Sequence, residues 1–211
     1  MKGIKEVVLA LVPILAFLAI LWLMLLSLKA EEAHCQILTT AETLGSGKQA
    51  VLLTENHQFV DGVHLNVAYV QYIRGLSDRF DLYLIAGETN VKKKAQAWLG
   101  IGGNFNLFQV QGFDTSLFNT IALPINARDQ SSTVLLNTAF VISRGFEKLT
   151  PYAGVSALVP IGARNRGFFT PIREEVNVPL GIFVPWRQWG VFLEGDVGHL
   201  SAVGVGISYG F

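Results

Sequence analysis

The chain has 211 residues, and its 16 Lys plus Arg balance 16 Asp plus Glu, so a zero formal net charge gives no polycationic surface for nucleic acid. Apolar residues make up 51%, mean hydropathy is +0.42, and 21 Gly stand against 2 Met. That balance is high for a water-soluble chain and suits β-structure with close backbone approach, while the single Cys35 excludes an intrachain disulfide and a multi-cysteine metal site.

Lys2 and Lys5 precede an uncharged run from Val7 to Leu28, and charge returns at Lys29, Glu31 and Glu32. A basic start followed by an apolar run reads as an export signal. The run's 22 residues could also span a bilayer as a helix. A cleaved signal and a retained anchor helix therefore compete over residues 1–35. Small residues Ala33 and Cys35, at −3 and −1 of a cut before Gln36, favour cleavage. Residues 36–48 are polar with glycines at their end and read as a short periplasmic leader.

From residue 49 the chain breaks into runs about as long as a tilted strand needs to cross a bilayer. Ten are expected: Gln49–Glu55, Val63–Arg74, Arg79–Gly87, Gln96–Phe105, Leu117–Asn126, Thr133–Ser143, Pro151–Ile161, Val176–Pro185, Trp189–Glu194 and Ala202–Phe211. Connections after the second, sixth and eighth read as tight. Those after odd strands read as more polar and mostly longer, for example Glu55–Gly62, Glu88–Lys94 and Gly162–Glu175. Gln109–Ser116 is the exception, an open connection on the short-turn side. Even strand numbers place both barrel termini on that side.

The last stretch is the most regular. Val203, Val205, Ile207, Tyr209 and Phe211 alternate with Ala202, Gly204, Gly206, Ser208 and Gly210. Period two puts an oily face against a nearly bare one. With Gly206, Tyr209 and the terminal Phe211, this strand resembles the C-terminal assembly signal of bacterial outer-membrane β-barrels. Gly204 stands where that pattern has a polar residue. Tyr72 to Leu84 is similar to the strand–turn–strand unit of small barrels of this class, which includes porin-like, OmpA-like and OmpW-like proteins. The resemblance implies an all-β, antiparallel, transmembrane up-and-down barrel of about ten strands behind an N-terminal signal or anchor helix. It further implies export through the inner membrane to the bacterial outer membrane. The implied partners are outer-membrane lipid, lipopolysaccharide at basic outer loops (Val91–Lys94, Arg128, Arg164, Arg166, Arg173), and the barrel assembly machinery through the last strand.

Alternation assigns faces. Leu65, Val67 and Tyr69 read as outward, as do Phe80, Leu82, Leu84 and Ala86, the even positions from Val134 to Ile142, those from Val176 to Val184, and Val191 and Leu193. Aromatics near strand ends, among them Tyr69, Trp98, Tyr152, Trp186 and Trp189, suggest interfacial girdles. The polar residues left for the lumen are His64, Asn66, Asp81, Asn137, Asn177 and Glu194, with Arg74 and Asp196 near the rims. Inward carboxylates and bases would then neutralise one another. Catalysis would need one of His57, His64 or His199 beside a hydroxyl such as Ser131, Ser132 or Ser201 and a carboxylate such as Glu55, Asp61 or Asp196. No spacing marks such a unit, so no catalytic residue, cofactor or metal site is expected. The reading is a structural barrel, or a narrow passive channel or small-ligand conduit. A barrel enzyme acting on lipid or peptide at the outer face, and a helix-anchored periplasmic β-domain, are its rivals.

Overall fold

A computed structural model describes residues 40–60, 63–91, 94–125, 134–161, 175–197 and 201–211. The expected signal or anchor and the first part of the leader lie outside the described residues, as do Asp61, Ser131, Ser132 and His199. The strands are β1 (Gln49–Val60), β2 (Val63–Ser77), β3 (Phe80–Val91), β4 (Lys94–Val110), β5 (Phe113–Pro124), β6 (Val134–Ser143), β7 (Thr150–Ile161), β8 (Glu175–Trp186), β9 (Trp189–Val197) and β10 (Ser201–Gly210). Each pairs antiparallel with its sequence neighbours, and β1 closes the sheet on β10, making a ten-stranded barrel. Closure leaves no open edge whose backbone groups would need another partner. The seam is clasped at the chain end: Phe211 N donates to Gln49 O at 2.9 Å, and Gln49 N donates to Phe211 O at 3.2 Å.

Several strands run further than apolar alternation suggests. β1 continues through Asn56 and Gln58, and β3 through Glu88 and Asn90, with unbroken pairing such as His57↔Asn66 and Asn90↔Ala95. Both faces are polar there, so the oily-face signal vanishes although the backbone ladder persists. The longer connections are thus confined to residues 125–133 and 162–174. The open connection expected over Gln109–Ser116 is instead a tight hairpin. Its two turn residues, Gln111 and Gly112, have φ of 52° and 78°, the pair of positive values a type I′ turn requires. A bulge between Asn106 and Phe108 shifts the register just before it and breaks the alternation in the sequence.

The two faces differ sharply. Along β9, Trp189, Val191, Leu193 and Val197 are exposed while Gly190, Phe192, Glu194 and Asp196 are buried. β10 repeats this, with Val203, Val205 and Ile207 outward. β2 reverses the expectation: Leu65 and Gln71 are buried, and His64, Asn66, Ala68 and Val70 are exposed. Tyr69 points inward and packs on Trp98 at 5.9 Å, so Tyr69, Trp98 and Tyr152 fill the interior and do not form a girdle. The assumption that the oilier face looks outward fails where the lumen itself is apolar.

Candidate functional site

The barrel interior is the candidate site, and it divides into three levels. The inner end carries Gln49, Gly210 and the turns at 78–79, 111–112 and 187–188. There the chain ahead of β1 lies across the mouth. Ala41 is fully buried, and its N donates to Ser143 Oγ at 3.1 Å. Asn106 Nδ2 donates to Ala41 O at 3.2 Å, and Asn104 Nδ2 to Thr40 O at 3.4 Å. Leu44 N donates to Asp81 Oδ2 at 3.0 Å. Gly47 N donates to Gly75 O, and Gly75 N to Lys48 O, both at 2.9 Å. A Cβ on Gly75 would fall 1.9 Å from Gly45 O, so only glycine lets the segment lie this close. Residues 40–48 thus bond to β2, β3, β4 and β6 and strap the inner mouth. Glu42, half-buried in this strap, is held above its ordinary 4.5 by burial and then by the Asp114 carboxylate.

The middle level is filled by rings. Tyr83 and Phe118 sit 5.4 Å apart between centroids, Phe183 and Phe192 4.4 Å, and Tyr152 and Phe192 6.5 Å. Leu52, Ile85, Val141 and Leu158 complete the cluster. Glycines make room for it. A Cβ on Gly181 would meet Tyr152 Cζ at 2.2 Å, one on Gly87 would meet Trp98 Cζ2 at 2.4 Å, and one on Gly190 would meet Phe183 Cε2 at 2.0 Å. Each of these rings lies over a glycine of the adjacent strand. A barrel of about this width is mostly filled by its own side chains, or holds a narrow channel or one small ligand.

The outer level is polar. Asn56, Asn137, Ser156, Asn177, Glu194 and Asp196 are all buried. Tyr152 Oη donates to Glu194 Oε2 at 2.7 Å, linking this level to the rings below. Asn56 Oδ1, Asn137 Oδ1, Ser156 Oγ and Asp196 Oδ1 make no hydrogen bond within the described chain. Groups so placed ordinarily hold water or an ion.

Of the polar lumen candidates from the sequence, Asp81, Asn137, Asn177 and Glu194 are buried, and Asp81 belongs to the inner strap while the others sit in the outer level. His64 and Asn66 are exposed on the outer wall, because β2 carries its apolar side chains inward. Arg74 is exposed, and Asp196 is an interior residue of the outer level. His57 Nδ1 lies 2.9 Å from Asn66 Oδ1, and its Nε2 lies 3.5 Å from Glu55, all on the exterior. Every lysine, arginine and histidine whose side chain is described is exposed, so none of those bases enters the lumen. Gly206 faces Leu52 on the middle-level rung of Phe192, while Tyr209 and Phe211 sit at the inner end, Tyr209 tilted against Trp189 (4.7 Å) and stacked on Phe211 (6.2 Å). Sequence reading missed Asn104, Asn106 and Ser143, which hold the strap. Two asparagines at period two inside the oily run GNFNLF were the available signal.

No protein-family model matches the chain, and no curated protein matches it. Among solved structures, KdgM porin aligns at 10% identity over 76% of this chain and 99% of that one, with a TM-score of 0.43. A structure from the de novo design of transmembrane β-barrels aligns at 15% identity over 80% of this chain and 99% of that one, with a TM-score of 0.40. The barrel assignment stands on the closed strand order of this chain itself.

Proposed function

We propose that this chain is an outer-membrane β-barrel that rests closed: a structural wall element or small-solute conduit whose lumen admits no free passage in this state. The observation that carries the closed state is the lumen's middle level, where Tyr83, Phe118, Tyr152 and Phe192 are all buried. The strap over residues 40–48 adds a second barrier at the inner mouth.

The outer wall supports a membrane setting. Leu53, Leu84, Leu99, Ile121, Leu193 and Ile207 are all exposed by 45% or more. So broad an apolar surface is costly in water and at home against lipid. Val203 to Phe211 spans about 26 Å along β10. A tilt of about 40° reduces this to about 20 Å along the membrane normal. That falls a few ångströms short of an apolar band of about 25 Å, and local thinning of the bilayer closes such a gap. Trp186, Trp189, Tyr209 and Phe211 gather at the inner end, as interfacial aromatics do. Lipopolysaccharide contact at the outer loops and delivery through the last strand belong to the same proposal.

The test is reconstitution of the full chain in a planar bilayer. The folded protein, recognised by a fast-migrating unboiled band on a gel, is expected to give no sustained ion current. A steady open-channel current from that same material would overturn the closed reading.

A further inference from the structure

Given the membrane setting proposed above, on which this rests, we infer that the inner rim binds the phosphate of an anionic phospholipid. Its ligand is Arg144, between the β4–β5 and β6–β7 turns. Ser143, the last residue of β6, points inward, since its Oγ accepts from Ala41 N of the strap. The next residue, Arg144, therefore leaves on the outer face. Its backbone N donates to Pro151 O at 3.2 Å, which ties it to β7. Asp114 pairs with Ser143 across β5 and β6 and accepts from Asn106 Nδ2 inside the barrel. Phe113, beside Asp114, is accordingly on the outer face with Arg144.

There the guanidinium carbon lies 4.9 Å from the centroid of the Phe113 ring and 5.4 Å from that of Phe146. Both distances are within cation–π reach. A Cβ on Gly112 would stand 4.0 Å from Arg144 Nε, so the side chain lies against the β4–β5 turn. The two rings belong to different hairpins, and this one side chain spans them. Arg144 is exposed, and its guanidinium makes no hydrogen bond or ion pair among the described residues. The rings place its charge while its N–H donors stay available. A planar fork of such donors matches two oxygens of a phosphate.

The surroundings fit a lipid better than a free anion. Phe108, Phe113, Phe146 and Leu149 are exposed by 50%, 37%, 53% and 40%. Large apolar side chains around a cation are costly in water and suit the boundary of a bilayer, where the rings meet acyl chains and the charge meets phosphates. The field has the right sign as well. Lys48, Arg74, Arg79, Arg144, Lys148 and Arg187 are exposed at this end, where the exposed acids among the described residues are Asp78 and Glu147. Such a rim draws anionic head groups. Among the described bases only Arg144 sits on rings, which separates a site from general attraction.

The experiment uses the full-length folded barrel. Flotation with phosphatidylcholine vesicles tests the membrane setting by itself. Native mass spectrometry from detergent then titrates phosphatidylglycerol against phosphatidylcholine with the same acyl chains. Wild type is expected to hold one phosphatidylglycerol about fivefold more tightly, because choline offsets the phosphate charge. Arg144→Gln should weaken that binding about tenfold, and Arg144→Lys less, since an ammonium keeps the charge without the fork. Phe146→Ala keeps the charge and removes a ring, and should weaken it about threefold. Arg187→Gln, at the same end without rings, should leave it nearly unchanged. Each variant is first shown to migrate as a folded barrel. Equal binding of the two lipids by protein that floats, or equal losses in Arg144→Gln and Arg187→Gln, would overturn the site and leave the membrane setting standing. A folded barrel that does not float would overturn both.

Discussion

At Gly181 the fold depends on the absence of one methyl group. A Cβ there would enter the Tyr152 ring, so the ring or the strand must shift. Gly181→Ala is expected to cost about 1–3 kcal/mol and to displace Tyr152 from Glu194. Gly195→Ala is the control, because its nearest neighbour would be 3.8 Å away, and urea unfolding followed by gel migration separates the two. A second residue-scale test reads the solvent outside. Thr138 Oγ1 donates to Asn119 Oδ1 at 2.9 Å, and both project from the outer face between apolar neighbours. Against lipid, Thr138→Val strands the asparagine and should cost about 1–2 kcal/mol, largely restored by adding Asn119→Leu. Against water the single change would be nearly neutral. Residues of this kind were only partly legible in the sequence. Asp81 and Glu194 stood out as acids in oily strands. His64 and Asn66 misled, because alternation tells which residues share a face but not which face is inside. That choice is made by packing, here Tyr69 on Trp98.

Among the elements, the strap at residues 40–48 has a pH dependence whose sign follows from Glu42. Its carboxyl is held above its ordinary 4.5 when docked. The docked state therefore binds more protons than the undocked state in a window that begins near 4.5 and extends upward. Docking is fully favoured below that window and weakens as pH rises through it. Hydrogen exchange at the Ala41 and Leu44 amides, corrected for intrinsic rates, should show stronger protection at mildly acidic than at neutral pH. Glu42→Gln should flatten the difference, whereas a pH effect that survives in that variant would assign it elsewhere. The ten strands themselves were legible because tilted crossing strands need a fixed length and a fixed period. Their ends were not, since the polar tops of β1 and β3 and the bulge before Gln111 carry no apolar period. The strap was invisible as well: its partners come from four different strands, and only closure of the barrel brings them together.

For the whole molecule, the closed strand order, the apolar exterior and the ring-lined interior belong to one design, which the proposed function reads as a wall toward lipid around a lumen that packs on itself. Sequence reading reached the closed barrel through β10, whose two faces are oily and bare, because closure onto β1 leaves only small residues of β10 inward. It left open whether the lumen is free, since that depends on how the inward rings of β3, β5, β7, β8 and β9 pack inside the closed barrel. The most direct measurement places nitroxide labels one at a time at Leu84, Leu99, Leu193 and Val205 in reconstituted protein and compares collision with oxygen against collision with a water-soluble nickel complex. Lys148, exposed in the inner-end turn, serves as the aqueous reference. Lipid contact predicts high oxygen and low nickel accessibility at all four wall sites, in contrast to residue 148. Nickel accessibility at the wall sites equal to that at residue 148 would mean that the barrel's oily face meets water, and would contradict the account.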